Sequence, residues 1–399
     1  MQTNAKKLFA ISAIALLAFN LRTAVSSLSP IVGFISVDIP LPIITIGLLG
    51  IAAPLSFALA TSISSRPAKR LGVEKTLGVT VAMIVLGHLL RALAWDSSSL
   101  FAGSLLSLLG AGIGNVLLPV MVRKYFPNRV GIVSSFYITL TAVSATLGSL
   151  IAVPMAEAFD WRIALGQWAI MAILTMIPLA TLLPNSKPAT LEEDKVTPVK
   201  KIWRSPTALA IAGTQMMTSI FGYVAFAWMP LILVEHNGVT PAEGGALLSL
   251  FALMGLPASL VVPILADKYK KSQTGIVWFS VVMAFTGSLG LIFAPKELLW
   301  LVMIVMGLGP TMFPLALTLF NLRSRQRSTV LAVSAFGQGV SYSTAAIVVF
   351  AFGVLRELTG NWNLALWVFV TVAAIASVIA FQIRKNHFID DELKAKSND

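Results

Sequence analysis

Arg22 lies inside the apolar run LFAISAIALLAFNLRTAVSSLSPIVGFI, Leu8–Ile35. A run of that length crosses a ~30 Å hydrocarbon core at about 1.5 Å of helix rise per residue. A charged side chain at that depth costs about 2.5–3.5 kcal/mol on insertion scales, so it persists where it faces water or an anion inside a bundle. Ser26 and Ser29 follow Arg22 at i+4 and i+7, which predicts one polar stripe along the helix. The guanidinium is always charged, and its fork of donors suits a carboxylate or a similar planar anion. No Asp or Glu falls in the interior of an apolar segment, so no built-in counterion is expected. The chemistry these residues suit is the holding of an anionic or strongly polar solute.

Other polar side chains sit at helical spacing on further apolar segments. Asn115 stands among Gly110, Gly112 and Gly114, with Pro119 one turn later; a buried amide there fits ligand contact and helix packing equally,. Tyr137 aligns with Ser134, Thr141 and Ser144, and Gln215 with Ser219 and Tyr223, Trp228 lying further out. Gln338 and Tyr342 share a face with Ser334 and Ser341. Tyr and Trp also serve interfacial belts, and Ser and Thr also bond back to their own helix. The substrate-binding candidates are therefore Arg22, Asn115, Tyr137, Gln215, Tyr223, Gln338 and Tyr342. Arg91, near the end of its segment, is expected to reach the interface, and His88 to be a packed histidine. The Gly-rich stretch near Asn115 is no nucleotide loop, since no strand precedes it.

The elements that must hold these residues are membrane helices. The chain of 399 residues is 57% hydrophobic and 12% charged, against about 25% charged in a soluble domain,. Twelve apolar segments are expected, roughly at 8–36, 43–65, 74–95, 99–122, 129–157, 161–183, 206–234, 241–265, 274–294, 298–322, 327–356 and 362–384. Without cysteine, disulfides, thiolate metal sites and cysteine nucleophiles are excluded,. The net charge of +12 reflects topology. With the amino terminus inside, Lys and Arg concentrate in every cytoplasmic loop, leaving Arg162, Lys296 and Arg356 outside. Nucleic acid is thus not an expected partner, and both termini are expected in the cytoplasm. The first run is too long for a cleaved signal peptide and lacks its small-residue cleavage pattern.

Leu183–Pro206 is the longest polar stretch and carries four prolines, so residues 184–205 read as a cytoplasmic linker between bundles at 1–183 and 206–399,. The halves match each other. Gly112 and Pro119 answer Gly307 and Pro314; VSSF at Val133 answers VSAF at Val333; Trp161 with Ala164-Leu165 answers Trp362 with Ala365-Leu366. The expected fold class is an all-α membrane protein of twelve transmembrane helices in two pseudo-symmetric six-helix bundles, the major facilitator architecture. SRPAKRLGVEKT, Ser65–Thr76, resembles that superfamily's loop motif, with Lys69 where an Asp is usual.

The chain resembles the cyanate/2-nitroimidazole permease family of the major facilitator superfamily. The resemblance rests on NLRTAVSSLSP (Asn20–Pro30), GIGNVLLPVMVRKYFP (Gly112–Pro127), DWRIAL (Asp160–Leu165) and FGQGVSY (Phe336–Tyr342), with Thr23 departing from the family's frequent Pro. It implies a permease for small anions or nitrogen heterocycles in a prokaryotic inner membrane. The function expected is secondary active or facilitative transport of a small anionic or polar solute by alternating access, in a chain that works as a monomer. Proton-coupled efflux of drugs or toxic compounds is the alternative, and the lack of an embedded carboxylate for a cationic drug counts against it. No extramembrane stretch is long enough for a catalytic domain, so no enzyme activity, cofactor or metal is expected.

Overall fold

The computed structural model describes residues 2–188, 199–269, 272–383 and 387–395. The core of the expected linker, 189–198, lies outside the described residues, as do Lys270, Lys271, Arg384, Lys385 and Lys396. Twelve helices are long and apolar enough to cross a membrane: Ala5–Asp38, Ile43–Ile63, Val73–Ala92, Ser97–Tyr125, Pro127–Ala158, Trp161–Leu182, Pro206–Asn237, Pro241–Lys268, Thr274–Phe293, Lys296–Leu322, Ser328–Thr359 and Asn363–Ile383. They are numbered below as the first to twelfth spans.

Where a span outruns its apolar segment, a local stop signal sets the end. The fourth begins after Asp96, whose carboxylate accepts from Ser99 N at 2.7 Å while Asp96 N donates to Ser99 Oγ at 3.1 Å. This capping box satisfies two end groups of the helix. The hydrogen bonds from Ser99 hold the Asp96 carboxyl below its ordinary range. At its other end Phe126 and Pro127 stop the helix.

Prolines interrupt three spans. The first helix runs Gln2–Ser26 and gives way to a 3-10 turn, Ser29–Ile31, before Val32–Asp38. In the eighth, Pro241–Leu253 stops ahead of Gly255–Lys268. Pro30 and Pro257 each stand four residues beyond the last helical residue, where an N–H would have met the carbonyl of Ser26 or Leu253. The tenth breaks into Leu299–Gly307, a 3-10 turn Gly309–Thr311 containing Pro310, and Met312–Leu322.

The contacts group into two compact units, Met1–Leu191 with Phe226–Leu253, and Glu192–Ala225 with Met254–Asp399. In the first unit, the first span packs on the fourth, fifth and sixth, and the fourth also on the second and third. The helix Pro241–Leu253 lies against the fifth span there. In the second unit, the ninth span packs on the tenth and twelfth, and Gly255–Lys268 packs on Met312–Leu322.

The two units repeat a packing device. A Cβ on Gly87 would come within 2.4 Å of Ser107 N, and one on Gly287 within 2.6 Å of Met306 Cα. Further along the same seams Gly110 meets Ile84, and Gly309 meets Ala284. Both pairs recur at an offset of about two hundred residues. Glycines let neighbouring backbones approach where lipid offers no hydrophobic drive between helices.

The helix Ile389–Ala395 ties down one end of the second unit. Asp390 accepts from Arg325 N at 2.6 Å and Thr329 Oγ1 at 2.7 Å. Glu392 accepts from Thr207 N at 3.2 Å, Thr207 Oγ1 at 2.7 Å and Ser205 Oγ. The seventh span thus starts against a carboxylate supplied from far along the chain, which suits the positive end of its dipole.

Candidate substrate site

Arg22 lies one turn before the end of the helix Gln2–Ser26 and is half-buried. Its guanidinium carbon stands 5.4 Å from the centroid of the Phe57 ring, on the second span. Phe57 itself is buried. Among the described residues no carboxylate pairs with Arg22. Two features stabilise the charge. Carbonyls at the helix's C-terminal end contribute about 0.3–1 kcal/mol, and the ring face about 0.5–2 kcal/mol. Together they offset about 0.8–3 kcal/mol of an insertion cost of about 2.5–3.5 kcal/mol, and water or an anion would stabilise the charge further.

The expected polar stripe does not form. Ser26 Oγ turns back to Arg22 O at 3.1 Å, and Ser29 falls beyond the proline break, in the 3-10 turn. Both serines are buried. The i+7 spacing assumed an unbroken helix, which Pro30 denies.

The break draws in a second arginine. Arg91 is fully buried and does not reach the interface as expected; its Nη1 donates to Ala24 O at 3.3 Å. Ala24 is two residues from the end of the first helix, so a cation meets the negative end of the dipole. Among the described residues Arg91 Nε and Nη2 have no hydrogen-bond partner. His88, one turn earlier, is buried as expected.

Asn115 and Tyr137 are half-buried on the fourth and fifth spans, and no hydrogen bond joins either side chain to Arg22 among the described residues. Asn115 is carried close to the first two spans by its neighbours. A Cβ on Gly112 would lie 2.8 Å from Ala60 Cβ, and one on Gly114 3.0 Å from Leu21 Cδ2.

The candidates in the second unit come together more closely. The rings of Tyr223 and Tyr342 meet edge to face, centroids 5.9 Å apart, and both residues are buried. Gln338 is one turn from Tyr342, and its Nε2 donates to Ser334 Oγ at 3.0 Å. Gln215 is buried, its Oε1 3.1 Å from where a Cβ on Gly337 would sit. Among the described residues neither amide atom of Gln215 has a hydrogen-bond partner. Trp228, in the first unit, is buried, so it serves no interfacial belt.

A model of the Major Facilitator Superfamily matches residues 14–346. The chain belongs to that superfamily. Among its relatives are the 2-nitroimidazole transporter of Escherichia coli (strain K12), 30% identical over 358 residues, which are 89% of this chain and 90% of that one. The uncharacterized transporter YycB of Bacillus subtilis (strain 168) is 29% identical over 393 residues, 97% and 96% of the two chains. The cyanate transport protein CynX of Escherichia coli (strain K12) is 25% identical over 343 residues, 85% and 84%. Among solved structures, the nucleoside transporter NupG has a TM-score of 0.77 at 12% identity, covering 95% of this chain and all of that one. The D-xylose-proton symporter scores 0.72 at 13% identity, covering 96% and 99%. The protein is an integral multi-pass membrane transporter with the major facilitator fold, and not an enzyme.

Two charged contacts of this transporter escaped the reading from sequence. Glu74 opens the third span and is fully buried; it pairs with Lys124 Nζ at 2.5 Å and accepts from Tyr125 OH at 2.8 Å. Lys69, the departure in the loop motif, is exposed. The acid of the first unit's loop region is thus Glu74, five residues further on. At the far ends of the first and sixth spans, Asp38 accepts from Trp161 Nε1 at 2.9 Å and Arg162 Nη1 at 2.5 Å. A signal for Glu74 was present, since an acid in the first turn of an apolar helix suits its dipole.

Proposed function

We propose that the transporter carries a small anionic or strongly polar solute of the cyanate, carboxylate or nitroimidazole kind by alternating access, as a secondary active or facilitative carrier. The observation that carries this reading is Arg22, half-buried over Phe57 with no acidic partner among the described residues. Its planar donors match the paired oxygens of a carboxylate or a nitro group, and its charge suits cyanate. Similarity to proteins that carry 2-nitroimidazole and cyanate supports the same class.

In this reading Arg22 attracts the polar head of the solute. Asn115, Tyr137, Tyr223, Gln338 and Tyr342 are the further candidates for neutral donors and acceptors to the solute. Gln215 holds an amide without a partner among the described residues, which would take part once its surroundings open. Six-helix halves at 1–183 and 206–399, an inner membrane with both termini in the cytoplasm, and function as a monomer complete the proposal.

The test is uptake of labelled cyanate, benzoate and 2-nitroimidazole by cells expressing the chain. Arg22→Ala should abolish uptake of whichever solute the unaltered protein moves, at equal abundance in the membrane. Undiminished uptake in that variant would remove Arg22 from the site.

A further inference from the structure

A cavity of about 530 Å3 opens on the second unit, away from every residue assigned above to the substrate. One wall is the helix Gly255–Lys268, which contributes Ala258, Val261 and Leu265. Opposite stand Ile276 and Phe279 of the ninth span, and the floor is the interrupted part of the tenth, at Leu308 and Thr311. Val261 and Phe279, which line the cavity, are exposed on spans long and apolar enough to cross a bilayer, a face suited to a lipid neighbour,.

Shape and chemistry fit one acyl chain. The lining of the first wall runs from Pro257 to Leu265, about 12 Å of helix rise, against ~15 Å for one leaflet of a ~30 Å core,. A methylene fills about the 30 Å3 a water molecule takes in the liquid, so the space holds roughly seventeen of them. The floor residues Leu308 and Thr311 belong to the stretch where the 3-10 turn containing Pro310 interrupts the tenth span.

The mouth is polar, with an exposed lysine beside it. Tyr269, Ser272 and Gln273 line it between the eighth and ninth spans. Lys268 is exposed there and lies over the Tyr269 ring at 5.8 Å. Behind Gln273, Arg323 Nη2 donates to Gln273 Oε1 at 2.8 Å. Burial in this apolar surround depresses the Arg323 guanidinium below its ordinary value, since it disfavours the charged form,.

We propose that this groove is a binding site for an anionic phospholipid, one acyl chain lying between the eighth and ninth spans and the phosphate meeting Lys268 and the polar mouth. Basic groups where membrane helices meet the interface attract anionic headgroups, by about fivefold in affinity for each charge. The site is independent of the substrate proposal.

Native mass spectrometry of the detergent-purified full chain tests it, with equimolar phosphatidylglycerol and phosphatidylcholine of identical acyl chains on offer. The unaltered protein should retain phosphatidylglycerol in preference. Lys268→Gln, an exposed substitution that leaves the fold intact, should lower that preference about fivefold. Val261→Trp, which fills the groove from an exposed position, should remove the retained lipid. Equal retention of the two lipids by the unaltered protein would overturn the proposal, as would retention indifferent to both substitutions. Oleate displacing phosphatidylglycerol at equal concentration would overturn the part given to the headgroup.

Discussion

Arg22 holds its guanidinium carbon 5.4 Å from the centre of the Phe57 ring, so an aromatic face stands where a counterion would be expected. A ring quadrupole steadies a cation without neutralising it, and leaves the donor fork available to a solute. If Phe57 positions Arg22 in this way, Phe57→Leu should keep the fold while weakening substrate. The expected loss is about two- to thirtyfold in apparent affinity, from a contact of about 0.5–2 kcal/mol. Concentration-dependent uptake reads it, and an unchanged half-saturation would separate Phe57 from the site.

Glu74 predicts a different outcome from the charges in the loop before it. Removing one partner of a buried pair costs about 3–5 kcal/mol, less here because Lys124 is partly in water. Glu74→Ala should therefore lower stability by about 2–3 kcal/mol, seen as a fall of several degrees in Tm. Lys69→Asp, on an exposed residue, should stay within about 0.5 kcal/mol. Equal shifts for the two would contradict the assignment of the buried acid.

The chain's last described helix yields a contrast between neighbours. Glu392→Ala strips three hydrogen bonds from the start of the seventh span and should cost about 1–2 kcal/mol, the usual weight of a lost cap,. Among the described residues Asp391 pairs with an exposed Arg325 alone, so Asp391→Ala should cost less than about 1 kcal/mol,. Thermal unfolding of the two variants in detergent orders them.

Gly87 and Gly287 should behave alike. Each sits where an added Cβ would press on backbone or Cβ atoms of the neighbouring span. Alanine at either should cost about 1–3 kcal/mol through overpacking, and the two effects should be similar because the same seam recurs in each unit. Indifference at one position and collapse at the other would break the structural repeat.

Much of the fold was legible because the bilayer imposes one dominant rule on sequence. A segment expected at 206–234 is a span at Pro206–Asn237, and one at 362–384 is Asn363–Ile383. Lipid requires every backbone group to be paired within the segment, so apolar length almost suffices to find a helix. Trp161 and Trp362, matched across the repeat, are both buried. Helical spacing was a poorer guide to the site. It assumed continuity past Ser26, whereas Pro30 ends the helix and sends Ser29 elsewhere. Arg91 misled for a related reason. Its position near a segment end suggested water, but the carbonyl it reaches is exposed only by the break in another span. Phe57 gave no signal at all, since one phenylalanine in an apolar run is indistinguishable from packing. The pairing of Tyr223 with Tyr342 depends on tertiary contact, to which neither local pattern speaks.

The central claim is that Arg22 takes hold of an anionic or strongly polar solute. The direct measurement is calorimetric titration of the purified transporter with cyanate, benzoate and 2-nitroimidazole, repeated on Arg22→Ala and Arg22→Lys. At least one solute should bind the unaltered protein. Arg22→Ala should weaken it about ten- to hundredfold, the weight of a charged hydrogen bond of about 1.5–3 kcal/mol, and Arg22→Lys should restore only part of the loss because it lacks the planar fork. Equal affinity in Arg22→Ala would contradict the account.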